Sequence, residues 1–370
     1  MENSAELANL RESIAEVDRA LLELLRRRME LAAEVGRIKA EQGTPVVVRD
    51  VEEKVLARAR QHAEACGVTP RVMEAVFQAV MAGSVERQHR VGTARRAARG
   101  GRVLLLGGAG GMGMWFSHFL ALVGHRVDAV DPAWGGLAPS PGRYAELSAV
   151  PDLDAYDFLL VSVPLAATPL VVAELVEHRP RGVVVEIASI KSHLTPALDA
   201  AQRLGVRVAC LHPMFGPGKS PYEPLTFVLA CRAPVEEERE ALAALLLHPY
   251  STVIPIPFAH HDRLMGWLLG LAHLTGMLFG AALTRSGLDA AELQRCASTT
   301  YERQAATAVS VVSEDPDLYL DIQRLNPHRS EVYRAVQEAL AELVGAVERG
   351  DRDAFAGQLG AARRFLTQAP

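Results

Sequence analysis

Apolar positions along residues 5–41 recur at helical spacing. Leu7, Leu10, Ile14, Val17, Leu21, Leu24, Leu25, Leu31, Val35 and Ile38 form one stripe held for about ten turns, and no proline precedes Pro45. A helix of that length cannot bury its stripe against itself, so the pattern predicts partner helices, some of them from a second copy of the chain. Two shorter helical patterns follow, from about Asp50 to Ala65 and from about Pro70 to Gln88. Residues 89–101 are basic, dotted with glycine and without a periodic apolar face, which predicts a linker; 93–101 then separates a helical domain, 1–92, from the rest. From 102 onward the period changes. Short apolar runs at 103–106, 127–130, 157–161, 183–187, 207–210 and 226–230 alternate with helical segments, which predicts a doubly wound parallel sheet over 102–257. Beyond Pro257 the strands stop, and 259–285, 289–312, 317–324 and 328–369 read as helices, giving an all-α C-terminal domain over 258–370.

The first strand of the sheet runs directly into Gly108-Ala109-Gly110-Gly111-Met112-Gly113, and Asp131 closes the second strand. Gly108, Gly110 and Gly113 fit the spacing that lets a strand turn tightly into a helix and bring backbone N–H groups against a pyrophosphate. Gly111 and Met112 fall within the same turn. A carboxylate at the position of Asp131 accepts from a ribose hydroxyl and repels a 2′-phosphate. The pattern therefore predicts a Rossmann-type domain binding NAD in preference to NADP.

Composition narrows the class. The 370 residues are 49% apolar and 22% charged, with 39 basic against 44 acidic residues, so no global field recruits nucleic acid or an anionic membrane. Cys66, Cys210, Cys231 and Cys296 lie far apart without metal-ligand spacing, which predicts free thiols, no metal and a reducing, cytoplasmic setting. Neither a signal-type N-terminus nor an apolar run of membrane-spanning length is apparent, so no membrane partner is expected.

The polar positions of the first domain share faces. Arg28 and Lys39 are almost three turns apart on one helix, and Ser84 and Gln88 are one turn apart on another, whereas Arg11 is out of phase with Arg28 by about 100°. Arg11 therefore faces elsewhere, as it would in a site built with a second copy. Together with Leu10, Ile14, Val17-Asp18, Leu21-Leu22, Val35-Gly36, Pro45-Val46 and Glu52, these positions resemble the all-helical chorismate mutases. That resemblance implies an intertwined homodimer whose pockets each take Arg11 from the other chain. It also implies that Lys39 and Gln88 donate to the ether oxygen, that Arg11 and Arg28 hold the two carboxylates, that Ser84 assists, and that Glu52 accepts from the ring hydroxyl. Position 51 is Val, where the family carries Arg.

In the α/β half, Ser162 (Leu-Val-Ser-Val-Pro), Lys191 (Ala-Ser-Ile-Lys) and His212 (Leu-His-Pro-Met-Phe-Gly-Pro) follow successive strands, and His261-Asp262 opens the helical block. Strand ends of a doubly wound sheet converge on the cofactor crevice. These motifs resemble prephenate dehydrogenase. With the mutase in front, the whole chain resembles the bifunctional chorismate mutase/prephenate dehydrogenases, the T-protein family of tyrosine biosynthesis. The resemblance implies that His212 accepts the proton of the substrate's 4-hydroxyl, that Ser162 holds that hydroxyl, and that Lys191 supports the loop. The family arginine five residues before Asp315-Pro316 is Ser310 here, and Arg303, two turns earlier, is the candidate carboxylate ligand. Val51 and Ser310 motivate a second reading: the same two reactions on 4-amino-4-deoxychorismate and 4-amino-4-deoxyprephenate.

Overall fold

The computed structural model describes residues 2–42, 49–96, 100–136, 140–232, 234–246 and 251–368. The chain divides into two compact units, one of 1–163, 170–187 and 200–255, the other of 164–169, 188–199 and 256–370.

The first unit begins with three helices, α1 (Glu2–Gln42), α2 (Arg49–Ala65) and α3 (Pro70–Arg96). Helix α3 continues past Gln88 through residues predicted as linker. Ala94, Arg95 and Arg96 are good helix formers and no proline interrupts them, so propensity carries the helix onward without an apolar face. Helices α1 and α3 lie side by side, and the closest approach is at Gly36. A Cβ there would fall 2.6 Å from both Cα and O of Gln88, so a side chain at 36 would push α3 away.

The sheet has eight strands in the order β3-β2-β1-β4-β5-β6-β7-β8. These are β1 (Arg102–Leu106), β2 (Arg126–Val130), β3 (Arg143–Tyr144), β4 (Phe158–Val161), β5 (Val183–Glu186), β6 (Val208–Pro213), β7 (Leu225–Cys231) and β8 (Ser251–Pro257). Strands β3 to β6 are parallel, with Leu106 level with both Val130 and Val161. The short β3 and the edge strand β8 carry too little periodic signal to have been read. Strand β7 departs from the expected parallel sheet: it is antiparallel to β6, with His212 opposite Val228. A parallel return needs a crossover of about a dozen residues or more, usually a helix, and the 214–224 segment contains none.

Helix α4 (Gly111–Val123) covers one face of the sheet with Trp115, Phe116, Phe119 and Leu120, which pack with Leu105, Leu160, Val185, Leu211, Phe227 and Leu229. Burying a side chain of this size stabilises by about 1.5–3 kcal/mol, so this layer fixes the sheet that carries the site. Helices α5 (Thr168–Glu177), α6 (Thr195–Leu204) and α7 (Val235–Ala243) complete the α/β elements.

The second unit is helical: α8 (Phe258–Met265), a π-helical turn (Gly266–Leu271), α9 (Ala272–Thr284), α10 (Ala290–Arg295), α11 (Thr299–Val312), α12 (Pro316–Leu325), α13 (Arg329–Glu348) and α14 (Arg352–Thr367). Two predicted helices are each divided here. Ser298 caps α11, accepting from Tyr301 N–H, and breaks 289–312; Gly350 at φ 64° ends α13 and breaks 328–369. The π-turn leaves Gly270 O for Gln323 Nε2–H at 2.9 Å. The stretch Phe258–Thr284 is apolar and long enough to cross a membrane by length and composition, against the expectation that no such run occurs. It carries His260, His261, Asp262 and Arg263 in its first two turns.

Candidate functional site

In the helical part of the first unit, Arg28 is half-buried. Its Nη1 donates to Val80 O at 3.0 Å and to the Ser84 hydroxyl, which itself donates to Val80 O at 2.8 Å. Burial pushes the Arg28 pKa below its ordinary value, as befits a cation whose neighbours are neutral oxygens rather than a carboxylate. Ser84 is buried, and Gln88, four residues on, has a buried Oε1 without a hydrogen-bond partner among the described residues. Lys39 is half-buried on the same stretch of α1. The structure therefore gathers Arg28, Ser84 and Gln88 where α1 meets α3. Arg11 is not among them: it is exposed, and 17 residues of continuous helix place it about 25 Å from Arg28. The side chains of Val51 and Glu52 lie outside the described residues. Gly36, part of the mutase-like pattern, takes its physical reason from its close approach to Gln88. Gly36→Ala is expected to lower mutase turnover by displacing Gln88, at a stability cost of about 1–3 kcal/mol; unchanged turnover would show that Gln88 does not act there.

The dinucleotide turn sits where the strand order reverses, between β1 and β4. Gly107, missed in the sequence, has no room for a side chain. Its φ is +85°, and a Cβ on it would fall 2.2 Å from Ser162 O. A Cβ on Gly113 would fall 2.0 Å from Gly107 O. Gly110 is the N-cap of α4 and supplies no side-chain cap, so the first-turn N–H groups of Gly111, Met112 and Gly113 are left without a capping side chain. Gly108 lies against Trp134 and Ala129. Asp131 is half-buried; its Oδ2 accepts from Ala109 N–H at 2.8 Å and its Oδ1 from Ala133 N–H at 2.9 Å. Four acceptor positions on a carboxylate leave room for a ribose hydroxyl beside these two bonds. A bare backbone cradle, an uncapped helix start and an acid held beside them fit a dinucleotide.

Ser162 directly follows β4, and His212 is the penultimate residue of β6, 3% exposed. These strands flank β5, so the two residues stand about 10 Å apart across the sheet's carboxyl edge by normal strand spacing.

Lys191 belongs to the second unit and is wholly buried. Its N–H donates to Asp262 Oδ1 at 2.8 Å, and Ser192 N–H donates to Asp262 Oδ2 at 2.7 Å. His261 Nδ1 lies 2.7 Å from Asp262 Oδ1, and Asn326 Nδ2 donates to Asp262 O at 2.8 Å. Burial alone would raise the Asp262 pKa; the hydrogen bonds from His261, Ser192 and Lys191 outweigh it and hold the carboxyl at about 2. Asp262 is therefore the anchor of the Lys191 segment. His273 is a further group the sequence reading passed over, a lone histidine in an apolar helix. Its Nδ1 is buried without a hydrogen-bond partner among the described residues, its ring lies edge-on to Tyr319 at 4.3 Å, and burial pushes its pKa down to about 4. It is a neutral ring at neutral pH. Arg303 and Ser310 are both exposed on α11, and the Ser310 hydroxyl donates to Thr307 O at 2.8 Å.

Residues 10–89 match the family described as chorismate mutase type II, and residues 257–361 match the prephenate dehydrogenase dimerization domain. The chain is 30% identical to the T-protein of Enterobacter agglomerans over 99% of its own length and 96% of that protein's. The chain belongs to the T-protein family. It is an enzyme carrying chorismate mutase and prephenate dehydrogenase in one polypeptide. It is also 29% identical to the 4-amino-4-deoxyprephenate dehydrogenase of Streptomyces pristinaespiralis, over 72% of this chain and 91% of that one. Its fold is that of the prephenate dehydrogenase of A. aeolicus in complex with hydroxyphenyl propionate and NAD+, with a TM-score of 0.59 at 17% identity over 73% of this chain and 98% of that one.

Proposed function

We propose that the Arg28–Ser84–Gln88 cluster where α1 meets α3 serves the rearrangement of chorismate to prephenate, and that the remainder of the chain converts prephenate to 4-hydroxyphenylpyruvate with NAD as cofactor. The observation that carries this reading is the presence, in one unit, of the Arg28–Ser84–Gln88 cluster and of an uncapped dinucleotide turn beside Ser162 and His212.

The rearrangement is pericyclic and needs no nucleophile. Catalysis comes from holding the reactive conformer and stabilising charge that develops on the ether oxygen. Lys39 and the Gln88 amide donate to that oxygen, Ser84 positions Arg28, and Arg28 holds a carboxylate without giving up an ion pair. Arg11 from a second copy holds the other carboxylate, and Glu52 accepts from the ring hydroxyl. The homodimer this requires is supported by the α1 stripe: Leu7, Ile14, Val17, Leu21 and Leu24 are 50–63% exposed in the single chain. The exposed apolar positions of Phe258–Thr284, such as Leu268 and Leu278, are covered in the same way by the partner's C-terminal helices.

In the second reaction the nicotinamide supplies hydride acceptance. Ser162 donates to the 4-hydroxyl oxygen and orients it. His212 accepts the hydroxyl proton as hydride leaves C4 and the ring carboxylate departs as CO₂, which makes the ring aromatic, and then returns the proton to the phenolic oxygen of the product. Lys191 stiffens the loop pinned by Asp262, and Arg303 is the candidate ligand of the side-chain carboxylate. The hydroxyl substrates are preferred over the 4-amino pair because the T-protein likeness extends through the mutase helices. The four cysteines, all free thiols, suit a cytoplasmic enzyme.

The test is NADH formation from chorismate, from prephenate and from 4-amino-4-deoxyprephenate. Turnover of prephenate well above that of the amino analogue is expected; the reverse order would overturn the substrate assignment. Asp131→Ala is expected to weaken both cofactors by loosening the Ala109 and Ala133 amides, and to narrow the preference for NAD over NADP by roughly 1–3 kcal/mol. An unchanged ratio would show that the carboxylate does not reach the ribose.

A further inference from the structure

Three contacts tie the start of α4 to the segment that follows His212. The β6–β7 register runs through Pro213 opposite Phe227, and Met214 N–H still donates to Thr226 O at 2.9 Å. The chain then leaves the sheet and crosses the start of α4. A Cβ on Gly111 would come within 3.2 Å of Pro217 Cγ, so Pro217 rests on the first residue of that helix. One turn further, Trp115 meets the same segment twice. Its ring lies 4.7 Å from that of Phe215, and its Nε1–H donates to Lys219 O at 2.6 Å. Lys219 N–H in turn closes on Gly216 O at 3.1 Å, and its ammonium pairs with Glu223.

Trp115 is poorly placed to move. It is 7% exposed, stacked on Phe119 at 5.0 Å and edge-on to Phe116 at 5.1 Å. Packing alone would be served by Leu or Phe at this position. A buried indole N–H requires an acceptor, and the one it takes belongs to the segment leading away from His212.

We propose that Trp115 is a positioning residue for the dehydrogenase reaction. Its N–H holds the 214–219 strap on the start of α4, so that this hydrogen bond links cofactor binding at α4 to the placement of His212. This rests on the assignment of His212 as proton acceptor and of α4 as the pyrophosphate seat.

Trp115→Phe keeps the ring contacts and removes the donor. Hydrogen exchange of the full-length protein reads the coupling directly. In the wild type, NAD+ is expected to slow exchange both in 107–113 and in 214–223; in Trp115→Phe the slowing is confined to 107–113. The dissociation constant for NAD+ is expected to rise about 2- to 10-fold, the scale of one neutral hydrogen bond. Prephenate turnover should fall about 10-fold through misplacement of His212, while mutase turnover stays at the wild-type value and reports intact folding. Adding His212→Asn should then cost no more than His212→Asn alone, because both changes act through the same group. Pro217→Gly, an exposed substitution on the other side of the contact, should reproduce the exchange pattern if Trp115→Phe folds poorly. Wild-type protection of 214–223 by NAD+ in both variants, or fully additive losses in the double variant, would overturn the proposal. Should His212→Asn alone leave turnover intact, the proton-acceptor assignment fails, and the exchange result still decides whether the tether exists.

Discussion

His212→Asn is expected to cut dehydrogenase turnover by about 10²- to 10⁴-fold, the usual contribution of a positioned acid–base group, with mutase turnover unchanged. The substitution is mild structurally. Asn keeps a hydrogen-bonding side chain at a buried strand position, and the β6–β7 register around it is fixed by backbone bonds on both sides. What it removes is a ring nitrogen able to accept a proton. Oxidation of prephenate needs that group as the hydroxyl proton leaves; the rearrangement of chorismate moves no proton. The pH profile separates chemistry from folding. Wild-type turnover should fall on the acid side as the imidazole protonates, because an imidazolium cannot accept a second proton, and this limb should vanish in His212→Asn. With the 4-amino substrate the acid limb would also contain the substrate's own ammonium and would move with the substrate. Equal loss of both activities would assign His212 to the fold instead.

Much of this architecture is legible in the sequence because its signals are local. A strand, a glycine turn and a helix in register, closed by an acid, specify the cofactor crevice within about thirty residues, and the structure places Asp131 on the turn's Ala109 amide. What was not legible depends on contacts distant in sequence. The antiparallel β7 follows from pairing with β6 across a loop that packs Phe215 on Trp115, and no pattern inside β7 announces its direction. Gly107 reads as one more glycine until the approach of Ser162 O, 55 residues away, shows why no side chain fits. Asp262 reads as the polar start of a helix, yet it holds the Lys191 segment from 70 residues downstream. Arg303 shows the converse. Its helical phase with Ser310 was visible, and both side chains are exposed on α11, but phase alone names no ligand.

The mutase site offers the second large effect, since it is expected to be divided between two chains. Arg11→Ala and Lys39→Ala should each lower mutase turnover about 100-fold or more, the scale of removing one oriented charge-stabilising group. Within one copy, Arg11 and the Arg28 cluster are about 25 Å apart along a single uninterrupted helix. No side chain bridges that gap, so a role for Arg11 in the proposed site requires the pocket of another copy, for which the exposed stripe from Leu7 to Leu24 offers a docking face. Mixing the two variants after reversible dissociation, or producing them together, tests this directly. In the mixed dimer one pocket carries both lesions and the other carries neither. Random assortment makes half of the dimers mixed, so about a quarter of wild-type mutase activity should return. Dehydrogenase turnover should remain unaffected in all three preparations, since neither residue lies in the α/β or C-terminal helices. A mixture as inactive as its parents would mean that each pocket is completed within its own chain, and a fully active Arg11→Ala homodimer would remove Arg11 from the site altogether.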